Sequence, residues 1–154
     1  PARFVPVDFL ADRLADALRD AGVADAGPLV WVWEGVTMYL PEAATADTLR
    51  AIAHVAAPGS VLILTYATPH LVLPTPRSLA PILRLFSAIG EPLVGLTTPE
   101  RMASLARHAG LEPLHDTGPS DWSRRWRRDE PRHLIDERVL VATVPRAAEV
   151  GSAR

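Results

Sequence analysis

The chain has 154 residues, enough for one compact domain, and 48% of them are hydrophobic, so it can bury a core and is not disordered by composition. Its net charge of −2 offers no basic field for nucleic acid or an anionic membrane, and the absence of cysteine excludes disulfides, thiolate nucleophiles and Cys-ligated zinc. No apolar run approaches the ~18 residues of a membrane span, and a cytoplasmic protein is expected. All 16 basic residues are arginine, with no Lys, Asn or Gln anywhere, a bias that reads as GC-rich coding.

Arg3 to Val7 is expected to be a short strand ending at Asp8. Asp8 is a natural N-cap for a helix to about Ala21, with Leu10, Leu14 and Leu18 along one face and Gly22 ending it. Pro28 to Trp33 is a short Val- and Trp-rich run expected as a buried strand. Pro41 suits a first helical turn, and Leu49, Ile52, Ala53 and Ala56 carry that helix to the Pro58-Gly59 breaker. Val61 to Thr65 is a second buried strand, and strand, helix, strand at this spacing is a βαβ unit that favours parallel pairing.

The segment 69–95 is apolar but broken by Pro69, Pro74, Pro76, Pro81 and Pro92, with a helical piece around Ser78 to Ile89. It is too long for a plain connector and is expected to cover a site. Thr97 and Glu100 offer a capping box for a helix to His108, closed at Gly110. Leu111 to His115 reads as a strand, Asp121 to Arg132 as a polar loop, and Arg138 to Val144 as a last strand, before a small, polar, flexible tail at 146–154.

Several residues could carry chemistry. In an open α/β sheet, ligands sit outside the carboxyl ends of the strands. Asp8 there could accept a hydrogen bond from an adenine amino group while Phe9 packs on the ring; spacing alone favours the simpler reading of Asp8 as a helix N-cap. Glu34-Gly35 follows the strongest strand, where glycine permits a tight turn or close ligand approach, and a solvated carboxylate at a strand end is an equally good reading of Glu34. Tyr39 could donate to a substrate, but an ordinary half-buried aromatic is the plainer reading. The five histidines have no ligand spacing, which argues against a metal site. The cluster Arg124-Arg125-Trp126-Arg127-Arg128 sits among Asp121, Asp129, Glu130, Asp136 and Glu137, so an ion-paired surface fits better than nucleic-acid binding. There is no Walker loop, GxSxG elbow or GxGxxG fingerprint.

Three segments together resemble a known family: Arg3-Phe4-Val5-Pro6-Val7-Asp8-Phe9, then Trp33-Glu34-Gly35-Val36-Thr37-Met38-Tyr39-Leu40, then Ala57-Pro58-Gly59-Ser60 leading into a strand. In order and spacing they look like the later motifs of the leucine carboxyl methyltransferase-like family of S-adenosylmethionine-dependent O-methyltransferases. The resemblance implies an α/β class I methyltransferase (Rossmann-like) sheet with helices on both faces and an antiparallel C-terminal hairpin. It implies S-adenosyl-L-methionine as cofactor and methyl transfer to a small-molecule carboxylate or hydroxyl. Carried over, Asp8 and Phe9 would hold the adenine, Glu34 would lie at the methionine end of the cofactor, and Gly35 would keep that approach open. Tyr39 would face the acceptor, and 69–95 would be part of the substrate lid.

The family's glycine-rich loop, its ribose-binding acidic residue and its N-terminal strands have no counterpart in the chain. Residues 1–145 are therefore expected to be the C-terminal part of the domain. The resemblance puts two further strands between Arg3–Val7 and Leu29–Trp33. The central strand edge left open would then be met by homodimerisation or by a separate N-terminal half. The competing expectation is a non-catalytic remnant or interaction module that keeps half the fold without cofactor.

Overall fold

A computed structural model describes residues 2–23, 27–69, 79–126 and 136–146. Positions 70–78 of the expected lid, the second half of the arginine-rich segment and the tail from 147 lie outside the described residues.

The elements in chain order are α1 (Leu14–Asp20), β1 (Val30–Trp33), a 3-10 turn (Thr37–Tyr39), α2 (Glu42–Val55), β2 (Val61–Ala67), α3 (Ala80–Ala88), α4 (Pro99–His108), β3 (Glu112–Thr117), α5 (Pro119–Trp126) and β4 (Glu137–Thr143). The sheet order is β1-β2-β4-β3. β1 and β2 are parallel, as the βαβ spacing requires, and β4 runs antiparallel to both β2 and β3. The expected C-terminal hairpin is thus present, with β4 inserted between β2 and β3.

α2 shows why one face of the sheet is covered. Thr45, Thr48, Leu49, Ile52 and Val55 recur at helical spacing and are buried. The Thr48 hydroxyl donates to the Ala44 carbonyl (2.9 Å), which satisfies an otherwise costly buried group. This stripe meets Trp33, Leu62, Leu64, Leu140 and Ala142 from the strands and Met102, Leu105 and Ala106 from α4. Leu14 of α1 packs against the same cluster. α1, α2 and α4 therefore line one face. Across the sheet, Val30 and Val32 stand 68% and 66% exposed.

Five local expectations are corrected. Arg3 to Val7 is not a strand: it has no ladder partner, and extended backbone becomes sheet only when a neighbour takes its hydrogen bonds. The first helix begins at Leu14, not after Asp8, because residues 8–12 form a separate turn in which Ala11 and Asp12 N–H groups donate to the Asp8 carbonyl. Leu10 falls outside that helix and is exposed. β1 is an alternating edge strand, not one buried on both faces, with only Trp31 and Trp33 turned to the core. The cap of α4 is Thr98, whose hydroxyl accepts from Arg101 N–H (3.3 Å), with Pro99 at the first helical position, one residue later than expected. Residues 119–126 are helical, not loop: Pro119 opens the turn, and Asp121 and Trp122 N–H groups donate to the Gly118 carbonyl.

Candidate active site

The site is best built from the carboxyl end of β1. Trp33, 6% exposed, closes the strand, and the ladder to β2 ends at the pair Trp33 and Leu64. Glu34 and Gly35 then leave the sheet as a turn. Gly35 takes φ +71°, a left-handed conformation open chiefly to glycine. A Cβ placed on Gly35 would meet no atom within 4 Å, so the space before the turn is open.

Two hydrogen bonds fix this turn to β2. The Gly35 N–H donates to Thr65 Oγ1 (2.8 Å), and the Thr37 hydroxyl donates to the Thr65 carbonyl (2.8 Å). Thr37 is fully buried. From the other side Gly95 N–H donates to the Met38 carbonyl (2.9 Å), and Thr97 N–H donates to the Ala67 carbonyl (3.0 Å). The segment 92–97 is thereby laid across the turn, and a side chain on Gly95 would collide with the carbonyl oxygens of Thr37 and Leu40.

The second part of the site comes from the N-terminal turn. Phe9 stacks on Trp33, with centroids 6.0 Å apart and planes 25° apart. That contact carries Asp8-Phe9 to the end of β1, beside Glu34-Gly35. Asp8 Oδ1 accepts from the Leu10 N–H (2.8 Å), and the Asp8 N–H donates to Asp12 Oδ2 (2.7 Å). Asp8 Oδ2 and both Glu34 oxygens accept no hydrogen bond among the described residues. Phe9 also lines a hollow of about 330 Å³ with Asp12, Leu14, Asp47 and Thr48. A larger hollow, about 430 Å³, lies between α4 and β3 and shares none of these residues.

Of the residues picked out in the sequence, Phe9, Glu34 and Gly35 are therefore gathered around Trp33, with Asp8 adjoining through the chain. Tyr39 sits on the 3-10 turn, 37% exposed, and no described contact joins it to the other four. Thr37, Thr65 and Gly95 escaped sequence reasoning. The only signal for Thr65 was a polar residue closing an otherwise aliphatic strand. Among the described residues no group of His, Asp and Glu is arranged to hold a metal.

In helix α5 one of the two arginines has an acidic partner. Arg124 pairs with Asp121, and the Arg125 guanidinium lies 5.8 Å from the Trp126 ring centre. None of the described helices is long and apolar enough to cross a membrane.

The strand order, the mixed pairing and the turn after β1 define the class I methyltransferase fold. A Haemonchus contortus phosphoethanolamine N-methyltransferase 2, solved with phosphomonomethylethanolamine and S-adenosylhomocysteine, superposes with a TM-score of 0.52 at 10% identity, over 76% of this chain and 33% of that one. The family model of leucine carboxyl methyltransferase matches residues 1–53. A Streptomyces coelicolor relative, named provisionally as an S-adenosyl-L-methionine-dependent methyltransferase, is 32% identical over 136 residues, 80% of this chain and 42% of its own length. A Mycolicibacterium smegmatis relative with a name of the same kind is 45% identical over 69 residues, 45% of this chain. The chain spans between 22% and 42% of the length of these two relatives.

Proposed function

We propose that this chain forms one wall of the cofactor site of an S-adenosylmethionine-dependent methyltransferase that transfers methyl to an oxygen of a small molecule. The observation that carries the reading is the Phe9–Trp33 stack, which gathers the Asp8-Phe9 turn and the Glu34-Gly35 turn at one strand end. The relatives' names and the fold support the cofactor class. The local chemistry fits as well: an unengaged Asp8 oxygen for an amino group, an aromatic ring beside it, an exposed carboxylate at Glu34, and open space before Gly35.

In this reading Asp8 and Phe9 hold the adenine, and Glu34 and Gly35 border the methionine portion. When bound, the cofactor supplies a methyl group on a positively charged sulfur. The chain's own residues contribute alignment, which governs an in-line displacement more than acid–base assistance does. A carboxylate acceptor needs no general base; a hydroxyl acceptor needs one. Tyr39 is the candidate acceptor contact, and α3 with the strap 92–97 is the candidate lid.

The test is calorimetric titration of the chain with S-adenosylhomocysteine. Micromolar binding that weakens in Asp8→Ala and in Glu34→Ala is the expected outcome. No heat of binding would sink the cofactor reading. It would favour an interaction module instead, for which the exposed Val30 and Val32 on the open edge strand are the supporting observation.

A further inference from the structure

We propose that Thr65 is a positioning residue for the cofactor wall, setting the direction of Glu34 through the backbone of Gly35. The inference rests on the cofactor reading given above and goes beyond it in naming a residue that is not itself at the ligand.

A carboxylate next to a glycine is poorly aimed by default, since glycine gives the backbone its widest range. Here that range is removed. The β1–β2 ladder stops at Trp33 and Leu64, so Thr65 is the first residue of β2 without a β1 partner. In place of a ladder partner it takes two bonds from the turn: Oγ1 accepts from Gly35 N–H, and its carbonyl accepts from the Thr37 hydroxyl, each at 2.8 Å. One residue thus holds both ends of the Gly35–Thr37 segment. The carbonyl bond is available to any residue at this position. The side-chain bond requires a hydroxyl, or another acceptor of the same reach, and this is what makes the threonine specific.

The geometry also separates positioning from stability. Gly35 is exposed, so water can replace Oγ1 if the hydroxyl is lost. The fold should tolerate Thr65→Val, which keeps the branched shape and strand preference. What is lost is the fixed orientation of the turn, and binding that depends on it.

The experiment compares the wild-type chain, Thr65→Val and Thr65→Ser. Hydrogen exchange at the Gly35 amide, followed by NMR, reads the bond directly, and titration with S-adenosylhomocysteine reads its consequence. Thr65→Val should lose Gly35 protection and bind roughly tenfold more weakly, while Thr65→Ser keeps both, because it keeps the oxygen. A Gly35 amide that is unprotected in the wild type overturns the proposal without reference to any ligand. Equal affinity in wild type and Thr65→Val, despite lost protection, overturns it while leaving the cofactor reading standing. A wild-type chain with a protected Gly35 amide that takes up no S-adenosylhomocysteine overturns the cofactor reading, and this inference with it.

Discussion

Tyr66 and Asp116 lie on different strands and meet in a 2.6 Å hydrogen bond, the Tyr66 hydroxyl donating to Asp116 Oδ2. The other carboxylate oxygen accepts from Arg138 Nε at 2.7 Å, so one aspartate joins β2, β3 and β4. Tyr66 is fully buried, and Asp116 and Arg138 keep only about one fifth of their side-chain surface. Asp116→Ala would leave a buried hydroxyl and a largely buried guanidinium without their main partner. Arg138 would keep its longer contacts to Asp121 and Asp136, each at 3.9 Å. A loss of roughly 2–3 kcal/mol is expected in urea unfolding, against about 1 kcal/mol for Tyr66→Phe, which removes only the donor. Equal, small losses in both variants would show that the network carries little.

The same residue sets a pH dependence. Burial, with help from the Asp116 hydrogen bond and charge, pushes the Tyr66 hydroxyl well above its ordinary pKa of 10.0. The folded chain therefore holds this proton more tightly than the unfolded chain does. Below the unfolded value both states are protonated and the stabilisation is intact. As pH rises past about 10 the unfolded phenol ionises while the folded one cannot, and stability falls. Denaturant midpoints between pH 9 and 11 should decline in the wild type and decline less in Tyr66→Phe. Parallel declines would place the cause elsewhere.

The parts of the fold that were legible in the sequence are those written in local pattern. The parallel β1–α2–β2 unit followed from two apolar runs separated by a helix with a clear breaker, Pro58-Gly59. The turn Glu34-Gly35 followed from its place after a strand. Arg3–Val7 failed because strand propensity says nothing about a partner, and Val30 and Val32 failed because a four-residue run of Val and Trp has no visible solvent face. The helix at 119–126 was signalled by Gly118-Pro119 and by Asp121, but its charges pointed to a loop. Thr65 was invisible for another reason: its bond to Gly35 spans 30 residues and exists only once β1 and β2 are paired.

Gly95 should prove intolerant of any side chain. Its backbone lies against the Thr37 and Leu40 carbonyl oxygens, which are held in turn by the 3-10 segment and cannot retreat independently. Gly95→Ala should therefore cost at least about 2 kcal/mol, in the range of overpacked sites. Gly90 is the control. It has φ +84° and open space around its missing side chain, so Gly90→Ala carries only the backbone penalty of about 1–2 kcal/mol. If the strap is the clip that holds the lid to the cofactor turn, Gly95→Ala also weakens S-adenosylhomocysteine binding and Gly90→Ala does not. A Gly95→Ala chain as stable as Gly90→Ala would mean that 92–97 is not pressed onto the turn.

The edge of β1 makes the last prediction. Its four residues, Val30 to Trp33, pair with β2 alone among the described strands, and Val30 and Val32 present an apolar, uncharged face to solvent. Edge strands that stay soluble are usually short, charged, bulged or covered. This one is short but has no charge until Glu34. We expect the chain to self-associate through β1 in a concentration-dependent way, visible as a rising mass in light scattering behind size exclusion. Val32→Lys puts a charge at the centre of the exposed face, where the wild-type side chain buries little, so folding stability should change by less than about 0.5 kcal/mol. Association should fall sharply in the same variant. The comparison is informative because another apolar surface, Leu85 on α3 with Ile89 just beyond its end, is untouched by it. Association that survives Val32→Lys but disappears in Leu85→Lys would move the interface from the sheet edge to that helix.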